Sequence, residues 1–309
     1  MKKTKKTDRS LWLVVLFISV LLNILALVYV LKPQVNKLIS KSKETTVRKE
    51  TANLFDEINP TKGFEINAKY SDLGPKMIES GVIDLEKFKQ TYEKSAQPLT
   101  KEQLEILTKG SNKKIRIDRD NSYFLLNFFW AAGLANKSKV LTEGDIVKYG
   151  EGQPGNFAST GGWSLAKSNP MDYYAKSDLI PMTSEQENLV QKVAGNIYRP
   201  CCNNSTAFPD CNHGMALLSV LQLMAANRAT EKQMFQAGKY FNAFWFPGNY
   251  YDLALYFKNS QKKSFKDIPG ELILGKEYSS ATGWSAAKKW LADQGIIEQP
   301  PKSGGSCGV

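Results

Sequence analysis

Apolar positions divide the chain into three regimes. From Leu11 to Leu31 they run almost unbroken, interrupted only by Ser19 and Asn23. At about 1.5 Å per residue this stretch makes about 30 Å of helix, the thickness of a bilayer core. Trp12 and Tyr29 stand near its ends, where amphipathic rings favour the headgroup layer. A cleaved leader would carry an apolar run of about 7–15 residues ending in a small-x-small site. This run is longer and passes into Tyr29-Val-Leu-Lys-Pro33, so it predicts a single transmembrane signal anchor at 11–31 behind a basic tail at 1–10. Residues 32–65 are polar, rich in Lys and Thr, and lose any core period after Leu38; they read as a stalk. From 66 to 299 the pattern predicts a mainly α, predominantly helical globular domain with long ordered loops, followed by a flexible Gly/Ser/Cys tail at 300–309.

Three helix starts share one device. Thr100, Thr183 and Thr230 each stand three residues before a Gln (Gln103, Gln186, Gln233), the capping-box spacing. Leu104 and Leu107 continue the first at helical spacing, and Gly110 is placed to stop it. Two aromatic runs, Asn121 to Leu134 and Asn242 to Phe257, read chiefly as core helices. Between them, 150–164 is glycine-rich but lacks a phosphate-loop spacing; it reads as an ordered loop able to cover a site. Gly161-Gly-Trp163 and Thr282-Gly-Trp284 resemble each other, each ahead of an expected helix, although so short a match is weak evidence of duplication.

Charge sharpens this layout. The net charge is +11, but Lys2, Lys3, Lys5, Lys6 and Arg9 against Asp8 give +4, and residues 32–50 give another +4. Only +3 is left for everything else, so the basic balance belongs to the flanks of the apolar segment and offers no support for nucleic-acid binding. The shorter, denser basic flank is the N-terminal one. That places the N-terminus inside and the body outside the cell membrane, with other envelope proteins as possible partners.

The chemistry concentrates between Arg199 and Gly214. Cys201, Cys202, Cys211 and the only histidine, His213, lie in one turn-rich loop marked by Pro200, Asn203, Asn204 and Pro209. The apolar run from Met215 follows at once, so Cys211 and His213 are expected at the N-terminus of a buried helix, where free amides favour a thiolate. Three sulfurs and one imidazole are the donor set of tetrahedral zinc, or of a soft ion such as copper(I). The spacing C-C-x8-C-x-H is not that of a zinc finger, and adjacent cysteines rarely both bind one ion without strain, so one of them can have another role. Met215 and Met224 read as core rather than as added thioether ligands. Two alternatives stand beside the metal site. One is a disulfide-stabilised, non-catalytic envelope scaffold, with Cys201 or Cys202 paired to Cys211 and the other to Cys307. The other is a membrane-tethered thiol-dependent enzyme or thiol-disulfide oxidoreductase, with His213 as base, Asp210 or Asn212 orienting it, and Cys307 as a resolving thiol or fourth ligand.

Overall fold

The computed structural model describes residues 12–21, 29, 31–32 and 51–298. It divides into two units, Met1–Asn53 and Leu54–Val309. In the first, 12–21, 29 and 31–32 are helical, with exposed apolar side chains such as Trp12, Phe17 and Tyr29. The remainder of the expected 11–31 anchor, the basic tail, most of the stalk and the tail bearing Cys307 lie outside the described residues. Among the described residues no helix is long and apolar enough to cross a membrane.

The compact body begins at Leu54, ahead of the boundary at 66 read from the sequence. Leu54 and Ile58, on the helical stretch 51–58, are buried in the core. Next comes strand β1 (Phe64–Ser71), in which Ile66, Ala68 and Tyr70 are buried while Glu65, Asn67 and Lys69 are exposed. This is the period-two alternation of a half-covered strand. It pairs antiparallel with β2 (Ser111–Ile117), Phe64 opposite Ile117 and Ser71 opposite Ser111. The body is mainly helical, as the sequence predicts, and this small two-stranded sheet is the part that the helical reading did not include. Three helices connect its strands: α1 (Leu73–Ser80), α2 (Leu85–Lys94) and α3 (Lys101–Lys109).

The other long helices are α4 (Ser122–Ala135), α5 (Ser184–Gly195), α6 (Asn212–Ala226), α7 (Glu231–Trp245), α8 (Pro247–Gln261) and α9 (Ala281–Asp293). Helix α6 is buried without a break from Gly214 to Ala225, and α4 is nearly so. A helix apolar on all sides must be enclosed by others; α4 and α6 pack on each other, and the Ser219 hydroxyl donates to the Phe129 carbonyl at 2.7 Å. Met215 and Met224 are core residues of α6, and both aromatic runs supply core: Phe128, Phe129, Tyr250 and Phe257 have no exposed surface.

All three capping boxes form. In each, the Gln backbone amide donates to the Thr hydroxyl, and the Gln side-chain oxygen accepts from the Thr amide. Gly110 ends α3 with φ +76°. The two Gly-Trp segments part company: Thr282-Gly-Trp284 lies in α9, while Gly161–Lys167 is irregular. There Trp163 is buried, donating its indole N–H to the Val82 carbonyl at 2.7 Å. The duplicated helix entry is therefore absent.

One buried charge gives a pH signature. Lys239 on α7 has no exposed surface, and its ammonium donates to the carbonyls of Phe265 and Ile268 at 2.6 and 2.8 Å. Burial pulls its pKa down to about 8, against the opposing pull of Asp267 and Glu57. Below that pH both folded and unfolded chains are protonated, and the cost of burying the charge is felt in full. Above it the native amine loses its proton while the unfolded one keeps it, so this residue's contribution to stability rises with pH. Urea unfolding at pH 7 and pH 10 should show the wild type gaining on Lys239→Met at the higher pH. A gap that is constant or narrows would refute the burial cost.

Candidate metal centre

The loop between α5 and α6 is fastened at many points. Tyr198 and Ser205 form an antiparallel bridge, and Thr206 donates both its amide (2.8 Å) and its hydroxyl (3.0 Å) to the Ile197 carbonyl. From the start of α9, distant in sequence, Ala281 donates its amide to the Cys202 carbonyl at 2.8 Å. Asn203 Oδ1 accepts from the Thr282 amide and hydroxyl at 3.0 and 2.7 Å. The glycine-rich loop also reaches it: the Ser159 amide donates to the Asp210 carbonyl at 3.2 Å, and Phe157 packs edge-on against Phe208 with centroids 5.3 Å apart. So many local restraints hold the cysteines in place without help from their own sulfurs.

Cys211 occupies the cap position of α6 with no side-chain capping bond, and His213 lies in the first turn, as the sequence indicates. The Cys201 and Cys211 sulfurs are 3.6 Å apart, and those of Cys201 and Cys202 are 3.9 Å apart. One imidazole nitrogen of His213 falls with the Cys201 and Cys211 sulfurs inside a mutual separation of 4.8 Å. A carboxylate oxygen of Asp210 does the same with Cys202 and Cys211. The two groups share Cys211, and a metal ion can be held there. Cys201 is exposed; Cys202, Cys211 and His213 are half-buried. All three thiols are free, so the disulfide arrangement expected as an alternative is not formed among them; Cys307 is outside the described residues.

Beneath the sulfurs lies Arg199, a residue to which the sequence assigns no role. Its side chain is fully buried. Nε reaches the Cys211 sulfur at 3.3 Å, and Nη2 reaches the Cys202 sulfur at 3.2 Å and Asp210 Oδ1 at 2.8 Å. Asp210 is held in turn by the Asn204 amide at 2.8 Å. Gly214 makes room for the guanidinium: a Cβ there would stand 2.7 Å from Arg199 Cζ and 2.9 Å from Nη2. The sequence signal was a glycine in the first turn of an otherwise apolar helix, where no turn requires one.

The electrostatics follow. Hydrogen bonds from Cys201 and Cys202, then the Arg199 charge and His213, hold the Cys211 thiol well below its ordinary value despite burial. Cys201, which shares its proton with Cys202 and Cys211, is pushed up. Hydrogen bonding to Cys201 draws Cys202 down, but its bond to Cys211 and its burial win, and it ends raised. Burial alone would weaken the Arg199 charge; the Cys211, Cys202 and Cys201 sulfurs and Asp210 more than offset this. The cluster thus carries one thiolate, centred on Cys211, over a buried cation.

His213 has an apolar wall, with its ring 4.3 Å from Phe246 and 6.0 Å from Trp245, centroid to centroid, at the α7–α8 corner. Elsewhere a cleft of about 580 Å³ is lined by Glu65, Glu102, Lys113, Lys114 and others from β1, β2 and α3. Lys113 pairs with Glu102 at 2.8 Å and Lys114 with Glu65 at 3.3 Å, and no cysteine lines the cleft. No family model matches the chain, and comparison with curated proteins and with solved structures finds no match.

Proposed function

We propose that this chain is a membrane-anchored protein that binds a zinc or copper(I) ion through Cys201, Cys202, Cys211 and His213, and that it handles or senses that metal outside the cytoplasm. The observation that carries the reading is the spacing of the sulfurs. Tetrahedral thiolate ligation at about 2.3 Å from the ion places sulfurs about 3.8 Å from one another. The 3.6 and 3.9 Å separations bracket that value, and an imidazole nitrogen lies within reach of two of the sulfurs. Arg199 supports the reading chemically. Thiolates bind metal only when deprotonated, and a buried guanidinium offsets the negative charge of a tri-thiolate site. The apolar run Leu11–Leu31 and its basic flanks support the anchor and the outward-facing body.

His213→Ala should weaken zinc or copper(I) affinity by about tenfold or more, read by competition with a chromophoric chelator. Unchanged affinity would remove His213 from the ligand set. The anchor is tested separately, by alkaline extraction of membranes and by protease added to intact spheroplasts. The account expects a chain that resists extraction and a body that is digested from outside. A chain released by alkali, or a body protected from protease, would contradict it.

A further inference from the structure

Two of the cluster's sulfurs are also arranged for redox chemistry that needs no metal. Cys201 is exposed, and its sulfur touches that of Cys211 at 3.6 Å. A disulfide needs about 2.05 Å between sulfurs, so the pair is short of bonding by about 1.5 Å. The chain between them is already folded back on itself by the Tyr198–Ser205 bridge and the Asn204–Asp210 hydrogen bond, so closing the ring orders little further backbone. Cys202 is the poorer partner for Cys201. A ring closed across one peptide bond is strained, and Arg199 Nη2 holds the Cys202 sulfur at 3.2 Å.

We infer that Cys201 and Cys211 form a reversible dithiol–disulfide couple that exchanges with external disulfides. Exposed Cys201 gives its proton to solvent and attacks one sulfur of the external disulfide. The external S–S bond breaks, a mixed disulfide forms on Cys201, and the departing thiolate takes up a proton. The Cys211 thiolate then attacks the Cys201 sulfur. The mixed disulfide breaks, the Cys201–Cys211 bond forms, and the second external thiolate leaves and takes a proton from solvent. Two protein thiols are oxidised and one disulfide is reduced to two thiols; the reverse sequence passes the electron pair outward. The same two sulfurs belong to the proposed metal set, so metal and disulfide exclude each other.

The test uses the full chain carrying Cys307→Ser, purified in detergent, stripped with a chelator and equilibrated in glutathione buffers from reducing to oxidising. Acid quenching, alkylation and cleavage ahead of Asp210 separate Cys201 and Cys202 from Cys211 for mass spectrometry. Cys201 and Cys211 should lose alkylation together and appear in one cross-linked pair two hydrogens lighter, with Cys202 alkylated throughout. Cys211→Ser should stop at a glutathione adduct on Cys201. A lasting adduct on Cys201 in the unsubstituted cluster, a cross-link through Cys202, or no oxidation across the series would overturn the couple. Metal is absent throughout, so the result stands or falls independently of metal binding.

Discussion

Arg199→Met should destabilise the body by about 3–5 kcal/mol, the usual penalty for removing one partner of a buried charge pair, and should abolish metal binding with it. The guanidinium is fully buried and faces the Cys202 and Cys211 sulfurs and Asp210. Methionine fills much of the volume but leaves a half-buried carboxylate and a thiolate without a cation. The thiols would then protonate, and protonated thiols are poor ligands. Arg199→Lys should rescue little. An ammonium is a point charge and cannot reach two sulfurs and a carboxylate along a planar fork. Chemical unfolding and metal titration of the two variants check this. A Met variant as stable as wild type that still binds metal would show that Arg199 only fills space.

Cys211→Ser should lower metal affinity by more than about a hundredfold, beyond the range seen when only an outer partner of a ligand is lost, while leaving the fold intact. Cys211 belongs to both candidate ligand groups, and it is the sulfur that Arg199 Nε contacts at 3.3 Å. Its side chain makes no capping bond, and Ser is a good cap residue, so α6 should begin where it does now. A stability loss smaller than that of Arg199→Met, because Asp210 still pairs with the guanidinium at 2.8 Å, together with lost metal, is the expected pair of results. A serine variant that keeps its metal would move the site to Cys201 and Cys202, away from the helix start.

The parts of this fold that could be read from the sequence are those set by local chemistry. Thr100, Thr183 and Thr230 each open a helix because a Thr–Gln pair satisfies the free amides of the first turn. The strongly apolar run from Met215, broken only by Ser219 and Gln222, fixes α6 as the central helix, and with it the position of Cys211 and His213. The β1–β2 pair was missed although β1 alternates cleanly, because β2 buries only Ile115 and Ile117 and the partners are far apart in sequence. The body's true start was missed for a related reason. Leu54, Phe55 and Ile58 are a few apolar residues in a polar stretch, and only the tertiary core gives Leu54 and Ile58 a place. At the site, the ligating residue types were visible as a cluster, but the cation beneath them was not. Arg199 acts through contacts with Cys202, Asp210 and Cys211, and through space that Gly214 leaves open, none of which a linear spacing encodes.

The central claim is metal binding by a reduced thiol cluster, and elemental mass spectrometry with a free-thiol count on the same purified full-length sample tests it most directly. The account predicts about one zinc or copper per chain, with Cys201, Cys202 and Cys211 reduced and shielded from alkylation until a chelator is added. A chain that purifies without metal, takes up neither ion when reduced, and alkylates freely at all three cysteines would contradict it.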